Sequence, residues 1–203
     1  MSKEFKWGVI SPGRIAHTFA NALKVVPNAT IHGVASSSQE RAEAFAKEYD
    51  IPNAYADYAA LVANPDIDAV YIASLHQQHY AHTKMALEAG KAVLCEKPFT
   101  VNAKETKELL ELAAEKKLFL MEAVWTRYLP IYETIRKWLD KDKIGDVTLL
   151  QSSFGFNPGR DERGRLLNPD LAGGTLLDIG IYPITVSQWV MGANPISFNA
   201  NAL

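Results

Sequence analysis

The sequence predicts an α/β chain in which a doubly wound parallel sheet is followed by the beginning of a second domain. Short β-type runs alternate with segments of helical periodicity from Trp7 to Met121, the pattern of parallel strands with helices on both faces. One of those runs, Ala92-Val93-Leu94-Cys95, leads straight into Glu96-Lys97-Pro98. This sets a charged pair at the carboxyl end of a buried strand, where open α/β sheets form their ligand crevice. Past Glu122 the β-type runs lengthen, and a segment rich in arginine, glycine and proline appears. The domains are therefore expected at residues 1–122 and 123–203.

Each element follows from local signals. Trp7 to Ile10 is the first strand. After the break at Ser11-Pro12-Gly13, Ile15, Phe19, Ala22, Leu23 and Val26 recur at helical spacing, and Pro27-Asn28 closes that helix. Ile31 to Ala35 is the second strand; Ala42, Phe45, Ala46 and Tyr49 mark the buried face of the next helix, which Ile51-Pro52 ends. Asp57 caps a short helix through Leu61, and Asn64-Pro65-Asp66 turns the chain into a strand at Ala69 to Ala73. A helix from Gln78 to Ala89 has Gly90 at its left-handed C-cap. The strand bearing Glu96 begins at Lys91, Asn102 caps a helix containing Leu109, Leu110 and Ala113, and Leu118 to Met121 is a further strand. In the second domain Leu129-Pro130 opens a helix with Tyr132, Ile135, Trp138 and Leu139 on one stripe, and Gly145 stops it. Val147 to Phe156 reads as a long strand, Asn157 to Gly174 as a mobile loop able to close over a site, and Ile196 to Leu203 as another strand.

Composition narrows the function. An apolar fraction of 48% supports a proper core, and a formal charge of −2 with interspersed signs leaves neither a basic footprint for nucleic acid nor a polybasic arm for membranes. A small-molecule partner is expected. The N-terminus has no apolar signal region and no run reaches membrane-spanning length, so a cytoplasmic location is expected. The single cysteine, Cys95, agrees with a reducing compartment and reads as an inert buried thiol.

The chemistry begins at Ser11-Pro12-Gly13-Arg14-Ile15-Ala16, which stands where a dinucleotide-binding glycine loop would. In the Gly-x-Gly-x-x-Gly/Ala pattern the second glycine lets pyrophosphate approach the backbone and the last small residue lets the helix pack closely; here these are Gly13 and Ala16, with Ser11 in the first place. The bare pattern also fits an ordinary strand-to-helix turn, but its position opens a helix whose amides and dipole suit a diphosphate. After the second strand, NAD sites place an acid for the ribose; this chain has Ser36-Ser37-Ser38 and Arg41, suited to a 2′-phosphate, so NADP is favoured and NAD remains possible. The alternative is a serine N-cap with a solvated Arg41. Tyr80-x-x-x-Lys84 imitates a dehydrogenase pair, and His76, His79 and His82 recur like metal ligands, but three histidines drifting around a helix cannot all face one ion, and no metal is expected. His76 and His79 do follow Ser74 into the crevice of Lys97, where His79 is a candidate for a substrate oxygen. Asp178 and Tyr182 lie four residues apart and share a helical face, subject to the interruption that Pro183 makes in the ladder.

Taken together, the loop after the first strand, Glu96-Lys97-Pro98, and Ala172-Gly173-Gly174 leading to Leu177-Asp178-Ile179-Gly180 resemble the Gfo/Idh/MocA family of NAD(P)-dependent oxidoreductases. Val93 to Pro98, Leu120 to Arg127 and Asp178 to Tyr182 are most similar to its branch of dihydrodiol and NADP-linked D-xylose dehydrogenases. The resemblance spans the chain. It implies a Rossmann domain followed by an α/β domain whose open-faced sheet takes substrate on one side and commonly a second subunit on the other, hence a homodimer for the full-length form. Family members continue well past the point corresponding to Leu203, so the second domain is expected to be incomplete. The implied chemistry is hydride transfer between a nicotinamide and the carbinol or hemiacetal carbon of a sugar, polyol or dihydrodiol. Tyr182 would exchange the hydroxyl proton. A phenol titrates near 10, so Lys97 would favour its anion while anchoring a ribose or substrate oxygen. Asp178 would orient a substrate hydroxyl, and Trp125 and Arg127 would line the pocket. Ser11, Gly13, Arg14, Ile15, Ser36, Ser37, Arg41, Ser74, His76, His79, Glu96 and Lys97 are the expected cofactor contacts. The rival expectation is a nucleotide-binding module without catalysis; a redox-linked regulator would need a protein or nucleic-acid partner, for which the sequence carries no patch.

Overall fold

Six parallel strands form one sheet, β1 (Phe5–Ile10), β2 (Ala29–Ala35), β3 (Asn53–Tyr55), β4 (Ala69–Ile72), β5 (Ala92–Glu96) and β6 (Leu120–Ala123), in the order β3-β2-β1-β4-β5-β6. The computed structural model of the chain describes residues 3–157, 159 and 161–201. Its contacts divide into two units, Met1–Ala123 with Asp170–Ala172, and Val124–Pro169 with Gly173–Leu203.

In the first unit the two-residue period of the strands makes two hydrophobic layers. Val9, Val34 and Tyr71 are buried on one face against Ala16 and Ala20 of α1 (Arg14–Leu23) and Phe45 of α2 (Gln39–Glu48). Their neighbours Ile10, Ala35, Val70, Ile72, Val93 and Cys95 are buried on the other. There they meet Leu61 of α3 (Tyr58–Ala63), Leu87 of α4 (His79–Glu88) and Leu109 of α5 (Ala103–Lys116). The expected caps form: Asp57 accepts from the Ala59 amide and Asn102 from that of Glu105. Cys95 is fully buried, and burial pushes its thiol well above the usual thiol range, as expected of an inert core residue. One strand was not anticipated: β3 is a three-residue edge strand, too short to leave an alternation in the sequence, and it pairs Gly33 to Asn53 through Ala35 to Tyr55.

The second unit departs further from expectation. Its helices are α6 (Pro130–Asp140), with proline at the first position, and α7 (Ile181–Met191), closed by Gly192 at φ 65°. Tyr132 and Arg136 of α6 pack on the indole of Trp189, at 5.1 and 4.5 Å between the centres concerned. Val147 to Phe156 and the described part of Ile196 to Leu203 form no strand; residues 202 and 203 lie outside the described residues. Their β-type composition supplies side chains, but a strand also needs a neighbour for its amides and carbonyls, and none pairs with them among the described residues. Of the predicted loop at 157–174, residues 158 and 160 lie outside the described residues. The segment from Asp161 is a series of turns closed by its own backbone, with Asn168 N donating to Gly164 O at 3.0 Å and Gly174 N to Leu166 O at 2.8 Å. Two glycines are required there. A Cβ on Gly173 would stand 2.7 Å from Asn168 O and 2.8 Å from Arg165 O, and Gly174 adopts φ 126°.

Candidate functional site

In the first unit the expected cofactor residues gather at the carboxyl edge of the sheet, around the switch in strand order between β1 and β4. At the end of β1, Ser11 N donates to Ala35 O at 2.9 Å and Gly13 N to Ser11 O at 2.8 Å, a tight turn into α1. Ser11, in the place of the first glycine, adopts φ 67°. This is the left-handed region that glycine enters freely, which explains the glycine of the general pattern. Gly13 presents the converse. Its φ of −87° suits any residue. An added Cβ would meet only Ala73 O, at 3.9 Å. Neither conformation nor internal packing demands glycine here, whereas close approach of a diphosphate does. The first turn of α1 has no side-chain cap, and Arg14 and Ile15 are exposed beside it. These residues fit a dinucleotide.

At the end of β2 the three serines separate in role. Ser36 is buried and its hydroxyl accepts from the Ser38 amide at 3.3 Å; Ser38 in turn caps α2 by accepting from the Arg41 amide. Ser36 is thus internal rather than the expected cofactor contact. Ser37 and Arg41 remain exposed, and Arg41 Nη2 donates to Ser37 Oγ at 2.7 Å. The capping reading is met by Ser38, which leaves Ser37 and Arg41 open to solvent.

The histidines after β4 require correction. His79 was expected to reach substrate or cofactor, yet its side chain is wholly buried, with Nδ1 2.7 Å from Pro98 O and Nε2 3.1 Å from Ser74 O. Burial holds the imidazole neutral, its pKa lowered to about 4 against the pull of both carbonyls. It braces the turn that follows Lys97 from inside. His76 is buried with Nδ1 3.3 Å from Ala172 O, and His82 Nδ1 meets Ser74 Oγ at 2.9 Å. The three rings do not converge on one point: His76 meets Ala172, His79 the Pro98 and Ser74 carbonyls, and His82 the Ser74 hydroxyl. Tyr80 donates to Glu108 at 2.6 Å on the outer surface of α4, and that bond raises its pKa, the opposite of what a phenolate base requires.

Lys97 follows β5, half-buried, with the Lys97-Pro98 bond cis. Glu96 turns inward. Its Oε1 accepts from Tyr71 at 2.5 Å and its Oε2 from the Lys97 amide at 3.2 Å, so it fixes the strand end rather than meeting the cofactor. Glu122, beside Cys95 on β6, accepts from the Phe99 amide at 2.8 Å. Burial raises both carboxyls. The backbone on either side of Lys97 is therefore held by Glu96, His79 and Glu122, a support that no motif announces.

In the second unit Trp125 Nε1 donates to the Tyr182 hydroxyl at 3.2 Å, and Phe154 meets the Tyr182 ring edge-on at 5.2 Å. Asp178 is buried, its amide donating to Gly174 O at 3.1 Å and its Oδ1 facing Arg165 Nη1 at 3.4 Å. The proline problem is solved by geometry. Leu176–Gly180 forms a π-helical turn and α7 begins at Ile181, which leaves Pro183 in the first turn, where its missing N–H costs little. Arg127 departs from expectation. It lines a cleft of about 510 Å³ with Arg136, Gln188 and Trp189, a lining that does not include Tyr182. Arg165 and Phe154 were missed because a loop arginine and a lone aromatic carry no spacing signal.

The sheet order and the loop after β1 define a Rossmann-type dinucleotide-binding fold. The oxidoreductase family with an NAD-binding Rossmann fold, GFO_IDH_MocA, matches residues 5–124, and the GFO/IDH/MocA C-terminal domain matches residues 132–203. The chain belongs to the Gfo/Idh/MocA family. It is 43% identical to D-xylose 1-dehydrogenase (NADP(+)) of Hypocrea jecorina over 91% of this chain and 52% of that protein. It is 40% identical to trans-1,2-dihydrobenzene-1,2-diol dehydrogenase of Homo sapiens, over 92% of this chain and 56% of that one. KijD10, a 3-ketoreductase from Actinomadura kijaniata solved with NADP and TDP-benzene, superposes with a TM-score of 0.86 at 31% identity, covering 93% of this chain and 58% of its own. The chain thus spans about half the length of the curated relatives it matches.

Proposed function

We propose that this chain belongs to an NADP-dependent oxidoreductase acting between the nicotinamide and the carbinol or hemiacetal carbon of a sugar, polyol or dihydrodiol. The observation that carries the reading is the sheet edge of the first unit. There Gly13, the exposed Ser37–Arg41 pair, Ser74 and Lys97 all stand at the carboxyl ends of strands of one sheet, with no acid at the end of β2. Gly13, Arg14 and Ile15 would seat the diphosphate, Ser37 and Arg41 the 2′-phosphate. The bound nicotinamide supplies or accepts the hydride. Lys97 anchors a ribose or substrate oxygen, Tyr182 exchanges the hydroxyl proton, and Asp178 with Arg165 orients a substrate hydroxyl. Trp125 and Phe154 fix the Tyr182 ring. The dehydrogenase names of the relatives support this class of substrate.

A cytoplasmic location and a homodimer for the full-length form are part of the same reading; no helix among the described residues is long and apolar enough to cross a membrane. A second reading, a nucleotide-binding module without turnover, is supported by the fact that every residue proposed here to hold the nucleotide belongs to the first unit. Fluorescence titration with NADPH and NADH, followed by an assay of sugars and diols on the same sample, separates the two. Tight NADPH binding with turnover supports the enzyme, binding alone supports the module, and a folded chain that binds neither nucleotide overturns both.

A further inference from the structure

Tyr58 opens α3 directly after its Asp57 cap and sits on the face of the sheet opposite α1. From there its hydroxyl comes within 3.2 Å of Ser11 Oγ. Its ring rests on the imidazole of His82, 4.6 Å between centroids, and His82 Nδ1 lies 2.9 Å from Ser74 Oγ. Ser11 and Ser74 follow β1 and β4, adjacent strands joined up to the Ile10 and Ile72 pair. Their hydroxyls thus meet one buttress from below.

The backbone explains why such a buttress is useful. Ser11 is held at φ 67°, where an L side chain is disfavoured and glycine is not. A glycine there would be free to leave this geometry; a serine whose hydroxyl is anchored gives the turn a side-chain restraint. The turn sets the direction of the Gly13 amide and of the first turn of α1.

We propose that Tyr58 is a positioning residue for the dinucleotide loop, acting through the Ser11 hydroxyl to hold the strand end on which the diphosphate would sit. This rests on the reading of that loop as the cofactor seat. It assigns to α3 a part in cofactor binding without direct contact.

The test is a double-mutant cycle read by NADPH fluorescence titration on the 203-residue chain. Tyr58→Phe keeps the ring on His82 and removes only the hydroxyl; its expected effect is a rise in the NADPH Kd of about 2- to 10-fold, the range of one net hydrogen bond. In a Ser11→Gly background, where there is no hydroxyl to hold, the same change is expected to cost less than about 2-fold. Adenosine 2′-monophosphate, which lacks the diphosphate, competes with unchanged affinity in every variant. An equal effect of Tyr58→Phe in both backgrounds, or a parallel loss of adenosine 2′-monophosphate binding, overturns the proposal. If Tyr58→Phe does not fold by circular dichroism, Ser11→Gly alone removes the same contact from the other side in the residue type that best tolerates this backbone. It is expected to weaken NADPH by a similar factor, and unchanged binding overturns the proposal. Wild-type chain that is folded but fails to bind NADPH overturns the cofactor reading itself; wild-type binding with an indifferent Tyr58→Phe overturns only the role of Tyr58.

Discussion

Replacing Arg41 by alanine tests the cofactor assignment most directly. Its guanidinium is exposed and already tethered, Nη2 donating to Ser37 Oγ at 2.7 Å, so little ordering remains to be done when a phosphate arrives. A hydrogen bond to a charged group contributes about 1.5–3 kcal/mol. Solvent screening at this exposed position places the effect at the low end, and about 1.4 kcal/mol corresponds to tenfold in affinity. Arg41→Ala should therefore raise the NADPH Kd by about tenfold and change the NADH Kd by less than about twofold, which narrows the preference from one side only. Fluorescence titration of both nucleotides measures this. Raising the salt should reproduce part of the effect in the wild type, since the Debye length contracts from about 10 Å at 0.1 M to about 3 Å at 1 M. Equal loss of both nucleotides on Arg41→Ala would refute the assignment, because a merely structural arginine on α2 has no reason to distinguish them.

Four other substitutions probe the rest of the chain. Tyr182→Phe should lower turnover by about 10²–10⁴ while leaving the NADPH Kd within about twofold, measured by steady-state kinetics and titration; unchanged turnover would remove Tyr182 from the chemistry. Gly173→Ala places a Cβ 2.7 Å from Asn168 O, so a loss of about 1–3 kcal/mol is expected in thermal denaturation followed by tryptophan fluorescence. Gly155→Ala, where an added Cβ meets nothing within 4 Å, should be near neutral. His79 gives a pH dependence: the unfolded imidazole protonates near 6.5 and the folded one only near about 4, so unfolding takes up a proton between those values and stability falls with pH through that window. The gap bounds the effect at roughly 3 kcal/mol. Glu96 and Glu122, whose carboxyls burial raises, act in the opposite sense. His79→Gln should flatten the acid side of the urea-midpoint profile, and a slope equal to the wild type would show that His79 is not its source.

The first unit was legible because its signals are local and repeated. Alternate strand residues such as Val9 and Ile10 enter opposite layers, and Asp57 and Asn102 make the capping bonds their types announce. β3 was not legible, since three residues at a sheet edge leave no periodicity. Val147 to Phe156 failed for a different reason. Composition reports what a segment's side chains favour, while a strand exists only through a partner, and partner choice is not written in the segment itself.

The site divides along the same line between type and placement. Ser36 and Glu96 stand at strand ends and His79 opens the helix after β4, so all three read as polar groups facing a ligand, yet each has its polar atoms engaged inside the domain. A crevice built at strand termini must satisfy its own exposed backbone before it can receive anything, and these residues do that work. Ser36 accepts the Ser38 amide, His79 meets the Ser74 and Pro98 carbonyls, and Glu96 takes the Lys97 amide. Sequence spacing cannot separate such supports from the groups they support, because both recur at the same offsets from the same strands. What separates them is exposure. Ser37, Arg41 and Gly13 are open while Ser36 and His79 are closed, and that difference decides which substitutions should alter nucleotide preference and which should alter stability.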